Sequence, residues 1–333
     1  MKAPTLLKMT SPLGEGFEIP YHDLGPQESA PAVAFVGGIH GNELNSVFVL
    51  ARLASYLQSL GDPKNPRPPL QARVVIVPAV NIIGMHALDR QWPFDKTDIN
   101  RMFPGYGSGE TTQRIAAAVF ELTKQAQVRV DIHSSNHLIE ELAQVRVYDE
   151  SPRVLASARH FGLPAVIQCP VNKTASATLL HSWMECGGEN FVLQAGVAGG
   201  LQVETCEAVL EALIRFLARR GFLAEAQKKE DIPETPEDQC FGLQQTVSVV
   251  SEIAGLFVAQ APLGGWIKRG DLLGMVYDGF DGRVRARFYA PVAGLLSAIR
   301  RQAIVYQGDL LARIQSRTPI AAGADIYLIG QGQ

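Results

Sequence analysis

The stretch Val36-Gly-Gly-Ile-His40-Gly-Asn-Glu43 indicates both the fold and the chemistry of this chain. It continues the apolar run Pro31–Val36, which predicts a strand buried on both faces because no polar residue alternates within it. A second β-type run, Val128–Ile132, leads directly to His133. Two imidazoles and a carboxylate near the carboxyl ends of predicted strands form a three-ligand set for catalytic zinc, which keeps a fourth position open for water. The sequence therefore predicts one Zn²⁺ per chain, bound by His40, Glu43 and His133.

Composition limits the classes of protein to which the chain can belong. It has 333 residues, of which 47% are hydrophobic, so a large core and two domains are expected. The net charge of -3 and the pI of about 6.2 give no basic excess for nucleic acid or a membrane surface. Four cysteines without close pairing indicate reduced thiols, and neither a signal peptide nor a membrane span is expected. These features predict a soluble cytoplasmic protein and leave open a homo-oligomer.

From about residue 30 to 222 the pattern alternates between strand and helix. The predicted strands are Pro31–Val36, Arg73–Val80, Val128–Ile132, Val145–Tyr148, Pro164–Gln168 and a short one at Ser182–Glu185. The predicted helices are Leu44–Leu60, Thr111–Gln125, Pro152–Phe161 and Val203–Arg220, and residues 81–108 are expected to form a long loop. Such alternation predicts an α/β fold, with a mixed, mostly parallel sheet flanked by helices.

The composition changes after residue 223. Residues 224–239 are charged and contain proline, with almost nothing to bury, which is typical of a linker. Short β-type runs follow at regular spacing: Thr246–Val250, Gly255–Ala259, Leu273–Tyr277, Val284–Tyr289, Leu295–Ile299 and Leu310–Ile314. The chain is therefore predicted to have a hydrolase domain at 1–223, a linker at 224–239 and a small all-β domain at 240–333.

The long loop carries a second group of polar side chains. Asn100 and Arg101 place an amide beside a guanidinium, a donor pair that can bind both oxygens of a substrate carboxylate. Asp98 could accept the free ring N–H of a zinc-bound histidine and fix its orientation. Arg90 is a candidate to stabilise a developing oxyanion. The alternative is that these are solvated charges of a surface turn.

Two glutamates compete for the role of general base. Glu185 lies between an apolar approach and Gly187-Gly188, so its carboxylate could project beside the metal and take a proton from water. Glu204 also follows a strand-like approach, Leu201-Gln-Val. A helix start accounts for Glu204 equally well, because a negative side chain is favourable at the positive end of a helix dipole. We therefore prefer Glu185 as the base.

Taken together and in this order, these motifs resemble the succinylglutamate desuccinylase/aspartoacylase family, which is related to the zinc carboxypeptidases. The stretches that carry the resemblance are Gly37-Gly-Ile-His-Gly-Asn-Glu43, Asp98-Ile-Asn-Arg-Met-Phe-Pro-Gly105, Asp131-Ile-His133, Met184-Glu-Cys-Gly-Gly188, Tyr289-Ala-Pro-Val-Ala-Gly-Leu295 and Val305-Tyr-Gln-Gly-Asp-Leu-Leu311. The resemblance implies a zinc-carboxypeptidase-like domain followed by a lipoyl-like β domain. It also implies zinc binding by His40, Glu43 and His133, a carboxylate clamp at Asn100 and Arg101, oxyanion stabilisation by Arg90, and Glu185 as general base.

The predicted activity is zinc-dependent hydrolysis of the amide bond of a small N-acyl amino acid or N-acylated amine. A zinc carboxypeptidase acting on short peptides is the first alternative, because it shares the metal chemistry. A non-enzymatic ligand-binding protein with a degenerate site is the second. The motifs do not specify the acyl group or the amine, which depend on the shape of the pocket.

Overall fold

The computed structural model describes residues 3–10, 14–27, 29–60, 62, 69–171, 176–224, 233–320 and 326–328. The strands are β1 (Thr5–Thr10), β2 (Gly16–Pro20), β3 (His22–Leu24), β4 (Val33–Gly37), β5 (Val74–Val77), β6 (Val128–Ser135), β7 (Ile139–Val147), β8 (Val166–Gln168), β9 (Glu189–Val197), β10 (Cys240–Phe241), β11 (Thr246–Val250), β12 (Gly255–Ala259), β13 (Trp266–Ile267), β14 (Leu272–Tyr277), β15 (Val284–Tyr289), β16 (Gly294–Arg300), β17 (Ile304–Val305), β18 (Leu310–Gln315) and β19 (Ile326–Leu328). The helices are α1 (Leu44–Gln58), α2 (Ile82–Ala87), α3 (Thr111–Thr123), α4 (Pro152–Arg159), α5 (Leu179–Glu185) and α6 (Val203–Arg219), with 3₁₀ turns at Ile99–Arg101 and Glu237–Gln239.

A mixed sheet forms the centre of the molecule. Its main path runs β3-β5-β4-β6-β9-β7-β16-β18-β11-β19. The pairs β4·β5, β4·β6 and β6·β9 are parallel, whereas β7 lies antiparallel to β9. β4, β5 and β6 are buried along their whole length, as expected of parallel strands covered on both faces. The predicted α/β class with a mixed sheet is confirmed.

Helices cover both faces of the parallel part of the sheet. α1, α4 and α6 pack on one face, where Leu50, Leu53 and Leu213 lie fully buried against apolar strand residues. α3 and α5 pack on the other face, which buries Val119 and Trp183. Each helix is amphipathic, so the two layers follow from the burial of one apolar stripe per helix. No described helix combines the length and apolar character that a membrane span requires.

The C-terminal strands continue the central sheet. β16 pairs antiparallel with β7, through Ala298 opposite Glu141, and β18 then pairs with β16. A separate antiparallel sheet of β15-β14-β12-β17 has its own apolar core. The predicted all-β character of the C-terminal part is thus present, and the proposed boundaries at 223 and 239 stay a prediction. Much of the predicted linker lies outside the described residues.

Two predictions of local structure are wrong. Ser182–Glu185 is not a strand but the end of α5, and the strand of this region is β9, which begins at Glu189. The expected loop at 81–108 contains α2 and a 3₁₀ turn. The buried residues Leu179, Ser182 and Trp183 recur at helical spacing, and such a period is difficult to recognise in a segment this short.

Candidate metal centre

The turn after β4 brings His40 and Glu43 to the edge of the sheet. Gly38 has a φ of +60°, a conformation that disfavours a side chain, and a Cβ on Gly41 would lie 2.1 Å from the carbonyl carbon of Gly84 in α2. The two glycines therefore allow a tight turn against α2. Glu43 then occupies the residue before α1, with its side chain buried rather than capping the helix.

His40, Glu43 and His133 meet in one cluster. The Nδ1 atom of His40 lies 2.7 Å from Oε1 of Glu43, and the Nδ1 atom of His133 lies 2.9 Å from Oε2 of the same carboxylate. Candidate ligand atoms of the three residues all lie within 4.8 Å of one another. The three side chains are almost completely buried. The structure thus assembles the residues that the sequence suggested as metal ligands.

The other ring nitrogen of each histidine points to a second carboxylate. The Nε2 atom of His40 lies 3.3 Å from Oδ1 of Asp98, and that of His133 lies 2.8 Å from Oδ2 of Asp131. Asp98 therefore lies where the sequence placed it. The role of Asp131 was missed, although its position two residues before His133 on a strand puts both side chains on the same face.

Charge balance within the cluster shifts several pKa values. Burial by itself would raise the pKa of Glu43, but the adjacent His133 and His40 lower it to about 2. Burial would lower the pKa of His133, but Asp131 and Glu43 raise it to about 10. Burial of Asp98 is likewise outweighed by His40 and Arg90, which hold its pKa well below the usual range. The cluster therefore favours positive charge between these carboxylates.

The chemistry of the donors fits zinc. Two imidazole nitrogens and one carboxylate oxygen match the ligand set of catalytic zinc sites, whereas calcium and magnesium prefer oxygen ligands alone. Each histidine also has a carboxylate to orient it and fix its tautomer, as in known metal sites. A divalent cation would satisfy the same carboxylates after the imidazole proton is released. His40, Glu43 and His133 would hold such an ion.

Arg90, Asn100 and Arg101 line the same cavity, whose volume is about 710 Å³. Arg90 lies 3.6 Å from Oε1 of Glu43 and 3.3 Å from Oδ2 of Asp98. Asn100 uses its Oδ1 atom to accept a hydrogen bond from the backbone of Leu179, 3.0 Å away, at the start of α5. The Arg101 guanidinium donates to the backbone oxygen of Asn100 and contacts no described carboxylate.

The structure does not bring Glu185 into this group. It ends α5 with 72% of its side chain exposed and is not among the described residues that line the cavity. Its nearest charged partner is His181, with Nε2 and Oε1 3.7 Å apart, and His181 does line the cavity. Glu204 lies in the first turn of α6, as its alternative interpretation predicted.

Three further residues of the cavity wall were not identified as site residues from the sequence. Glu141 and Arg146 lie on β7, and Arg313 lies on β18 in the C-terminal part of the chain. No local motif marks these residues, because they meet through the pairing of β7, β16 and β18.

Comparison with known proteins gives a consistent assignment. Residues 29–220 match the family model described as the succinylglutamate desuccinylase/aspartoacylase catalytic domain. The chain is 29% identical over 296 residues to the N-alpha-acetyl-L-2,4-diaminobutyric acid deacetylase of Halomonas elongata, covering 85% of this chain and 82% of that protein. A product-bound structure of the ectoine utilization protein EutE from Ruegeria pomeroyi superposes with a TM-score of 0.74, at 23% identity and 94% coverage of both chains. A succinylglutamate desuccinylase/aspartoacylase from Rhodobacter sphaeroides gives a TM-score of 0.73, at 21% identity and 93% coverage of both. At these identities the two structures establish the shared fold alone.

Proposed function

This chain belongs to the succinylglutamate desuccinylase/aspartoacylase family, and on that premise we propose that it is a zinc-dependent deacylase of a small N-acyl amino acid. The observation that carries the proposal is the buried cluster of His40, Glu43 and His133, with ligand atoms within 4.8 Å of one another. The name of the Halomonas elongata relative, a deacetylase of an N-acetylated amino acid, supports the same class of reaction.

The proposed ligands supply the metal chemistry, and other residues supply the binding. Bound at this cluster, zinc would polarise an amide carbonyl and make a water molecule more acidic. Arg101, which has no described carboxylate partner, would bind the substrate carboxylate together with the amide of Asn100. Arg90 lies beside Glu43 and would stabilise negative charge on the carbonyl oxygen as the tetrahedral intermediate forms.

Proton transfer needs a group other than the carboxylates of the cavity wall. Among the described lining residues, Glu43 binds both histidines, Asp131 binds His133, and Glu141 binds two arginines. Each of these carboxylates therefore already has a partner in the cavity wall. We assign the transfer to His181, which lines the cavity and has the carboxylate of Glu185 behind it. His181 would take a proton from the attacking water and pass it to the leaving amine, and Glu185 would act by orienting it.

Two measurements test the proposal. Purified protein should contain about one zinc ion per chain, and His40→Ala and His133→Ala should each lose most of it while keeping the fold. The zinc-loaded protein should hydrolyse N-acyl amino acids in a panel that also contains short peptides. Turnover of peptides alone would favour a carboxypeptidase. Full zinc retention in both variants would remove the proposed site, and binding without turnover would identify a non-enzymatic protein.

A further inference from the structure

A buried glutamine beside the metal centre has no part in the reaction as proposed above. Gln194 lies on β9, opposite His133 of β6 in the parallel register of the two strands. Successive side chains of a strand point to opposite faces of the sheet. Phe191 and Leu193 belong to the apolar core on one face, whereas Val192 and Gln194 line the cavity on the other. The glutamine therefore shares a face of the sheet with a proposed metal ligand.

The side-chain amide of Gln194 is buried and has no partner in the described part of the chain. Only 7% of the residue is exposed, and no described group forms a hydrogen bond with its side chain. Gln144, which lies opposite it on β7, instead donates from Nε2 to Oε2 of Glu141, 3.2 Å away. Buried polar groups in proteins are nearly always hydrogen-bonded. An unpartnered buried amide that faces a cavity therefore indicates a group of the ligand as its partner.

Gln194 and Arg90 flank the metal centre on two different sides. In the sheet, β6 lies between β4, which leads to His40, and β9, which carries Gln194. Arg90 lies on the side of His40, because it contacts Asp98, the carboxylate that faces the Nε2 atom of that histidine. Gln194 lies on the side of His133, about 4.8 Å away in strand spacing. A group bound at the metal centre would thus have a hydrogen-bond donor on each side.

Amide hydrolysis needs donors for two oxygens. Attack by water forms a bond from the water oxygen to the carbonyl carbon, so the tetrahedral intermediate carries two oxygens on that carbon. In the proposed reaction Arg90 stabilises the oxygen of the former carbonyl, and His181 takes one proton from the attacking water. The oxygen that comes from water then gains negative charge, and a donor aimed at it would stabilise the transition state. The NH₂ group of a glutamine has two such donors.

We infer that Gln194 is a catalytic residue whose Nε2 atom donates a hydrogen bond to the oxygen delivered by water. This inference rests on the proposed function and adds a second donor to its site. The proton taken by His181 passes to the amine as the carbon–nitrogen bond breaks, so Gln194 neither gains nor loses a proton. A carboxylate at this position could not donate, and it would add negative charge beside Glu43 and Asp131.

Gln194→Met tests the inference, because it keeps the size of the side chain and removes both polar atoms. On the best substrate of the N-acyl amino acid panel, kcat should fall by roughly 10²–10³-fold, the usual cost of losing one oxyanion donor. KM should change little, because the contact forms with the intermediate rather than with the substrate. Zinc content should equal that of the wild type, since Gln194 is not one of the proposed ligands.

Gln144→Met is the matched control. It also removes a buried amide, at the position opposite Gln194 on β7, but Gln144 is not among the described residues that line the cavity. We expect it to lower stability in a denaturant titration and to leave kcat near the wild-type value. If Gln194→Met lowers stability in the same way without a greater loss of kcat, the role of Gln194 is structural and the inference is overturned.

Gln194→Glu distinguishes a donor from an acceptor at this position. Glutamate keeps the acceptor oxygen of the side chain and replaces the NH₂ group with a second oxygen. Since the inference requires a donor, kcat should fall at least as far as in Gln194→Met. A kcat equal to or above that of the wild type would show that an acceptor or a base is sufficient here, and the inference would then be wrong.

Binding of a tetrahedral anion gives a readout that does not depend on turnover. Methylphosphonate has tetrahedral oxygens like those of the intermediate, whereas acetate is planar. In calorimetric titrations of zinc-loaded protein, Gln194→Met should weaken methylphosphonate by about 10-fold or more, as expected for one charge-assisted hydrogen bond, and acetate by less. If this is observed but no N-acyl amino acid is hydrolysed, the proposed function fails and the donor role of Gln194 stands. If substrates are hydrolysed but neither kcat nor methylphosphonate binding depends on Gln194, only this inference fails.

Discussion

At the scale of single residues, the site depends on the two nitrogens of each histidine having different partners. His40 and His133 both turn Nδ1 toward Glu43, and their Nε2 atoms face Asp98 and Asp131. An imidazole held by a carboxylate at one nitrogen is oriented for a metal at the other. The geometry that would receive a metal is therefore already fixed by carboxylates of the chain itself.

Arg101→Lys tests the carboxylate clamp. Lysine keeps the charge but loses the planar fork that can bind two carboxylate oxygens. We expect kcat/KM on a verified N-acyl amino acid to fall by roughly 10-fold or more, with zinc content unchanged, because Arg101 contacts none of the proposed ligands. Steady-state kinetics and metal analysis check this together. Unchanged kinetics would show that the substrate carboxylate binds elsewhere.

The substitutions His181→Gln and Glu185→Gln distinguish the residue that transfers the proton from the residue that orients it. Loss of a general base typically costs roughly 10²–10⁴-fold in rate, and we expect that loss in kcat for His181→Gln with zinc retained. Glu185→Gln should cost less, because Glu185 contacts only His181, at 3.7 Å, and is not among the described residues that line the cavity. His137→Gln is the control, since His137 lines the cavity without a described carboxylate partner. A larger loss in Glu185→Gln than in His181→Gln would restore Glu185 as the base.

At the scale of secondary structure, two short helices, α2 and α5, help to position the site. α2 packs against the turn that carries His40, so closely that a Cβ on Gly41 would lie 2.1 Å from the backbone of Gly84. α5 is joined to Asn100 by the hydrogen bond from the backbone of Leu179. Each of these helices has fewer than eight residues, so tertiary contacts rather than intrinsic helix stability hold them in place.

Gly41→Ala tests the packing of α2 on the turn that carries His40 and Glu43. The added methyl group cannot be accommodated without movement of the backbone, so we expect the free energy of unfolding to fall by about 1–3 kcal/mol. Zinc affinity should also fall, because His40 is the adjacent residue. Gly107→Ala is the matched control, since a Cβ there meets no atom within 4 Å. Denaturant titration and metal analysis of both variants check the prediction, which fails if the two behave alike.

At the scale of the whole molecule, buried polar contacts join distant parts of the chain. Glu189 opens β9 and accepts hydrogen bonds from Arg220, after α6, and from Ser157 of α4, the latter at 2.6 Å. The C-terminal strands are joined in turn through β16 and β7, where Arg313 reaches Glu141. The cavity is thus formed by residues from both parts of the chain, more than 170 positions apart.

Glu189→Gln tests the contact among β9, α4 and α6. Burial alone would raise the pKa of Glu189, but hydrogen bonds from Arg220 and Ser157 hold it below the usual value. A lowered folded-state pKa stabilises the protein above the unfolded value of about 4.3, and this contribution is lost as pH falls through the folded value. We expect Glu189→Gln to lower the free energy of unfolding by about 1–3 kcal/mol at pH 7 and by less below about pH 4.

Denaturant titrations at several pH values check this difference. Glu121→Gln is the control, because Glu121 is 62% exposed and, within the described part of the chain, its ion pair is with Lys124 alone. Exposed ion pairs contribute little to stability. A pH-independent difference between wild type and Glu189→Gln would contradict the assignment.

The sequence by itself determined the features that depend on local pattern. Buried runs with no polar alternation identified β4, β5 and β6, and the glycines around His40 indicated the turn that carries two of the proposed ligands. The family, the α/β class and the predicted ligand set followed from these stretches. Local pattern is sufficient here because the residues concerned lie next to the strands that position them.

Tertiary structure alone decided which distant side chains share the cavity. The sequence placed Glu185 on a strand, but it ends the helix α5, and its side chain is exposed to solvent. His181, one turn earlier in the same helix, lines the cavity instead. Glu141, Arg146 and Arg313 carry no motif and meet only because β16 extends the sheet from β7 to β18. Strand order across a sheet is set by long-range backbone pairing rather than by the residues within each strand. The sequence could therefore locate the proposed metal ligands but not the far wall of the pocket.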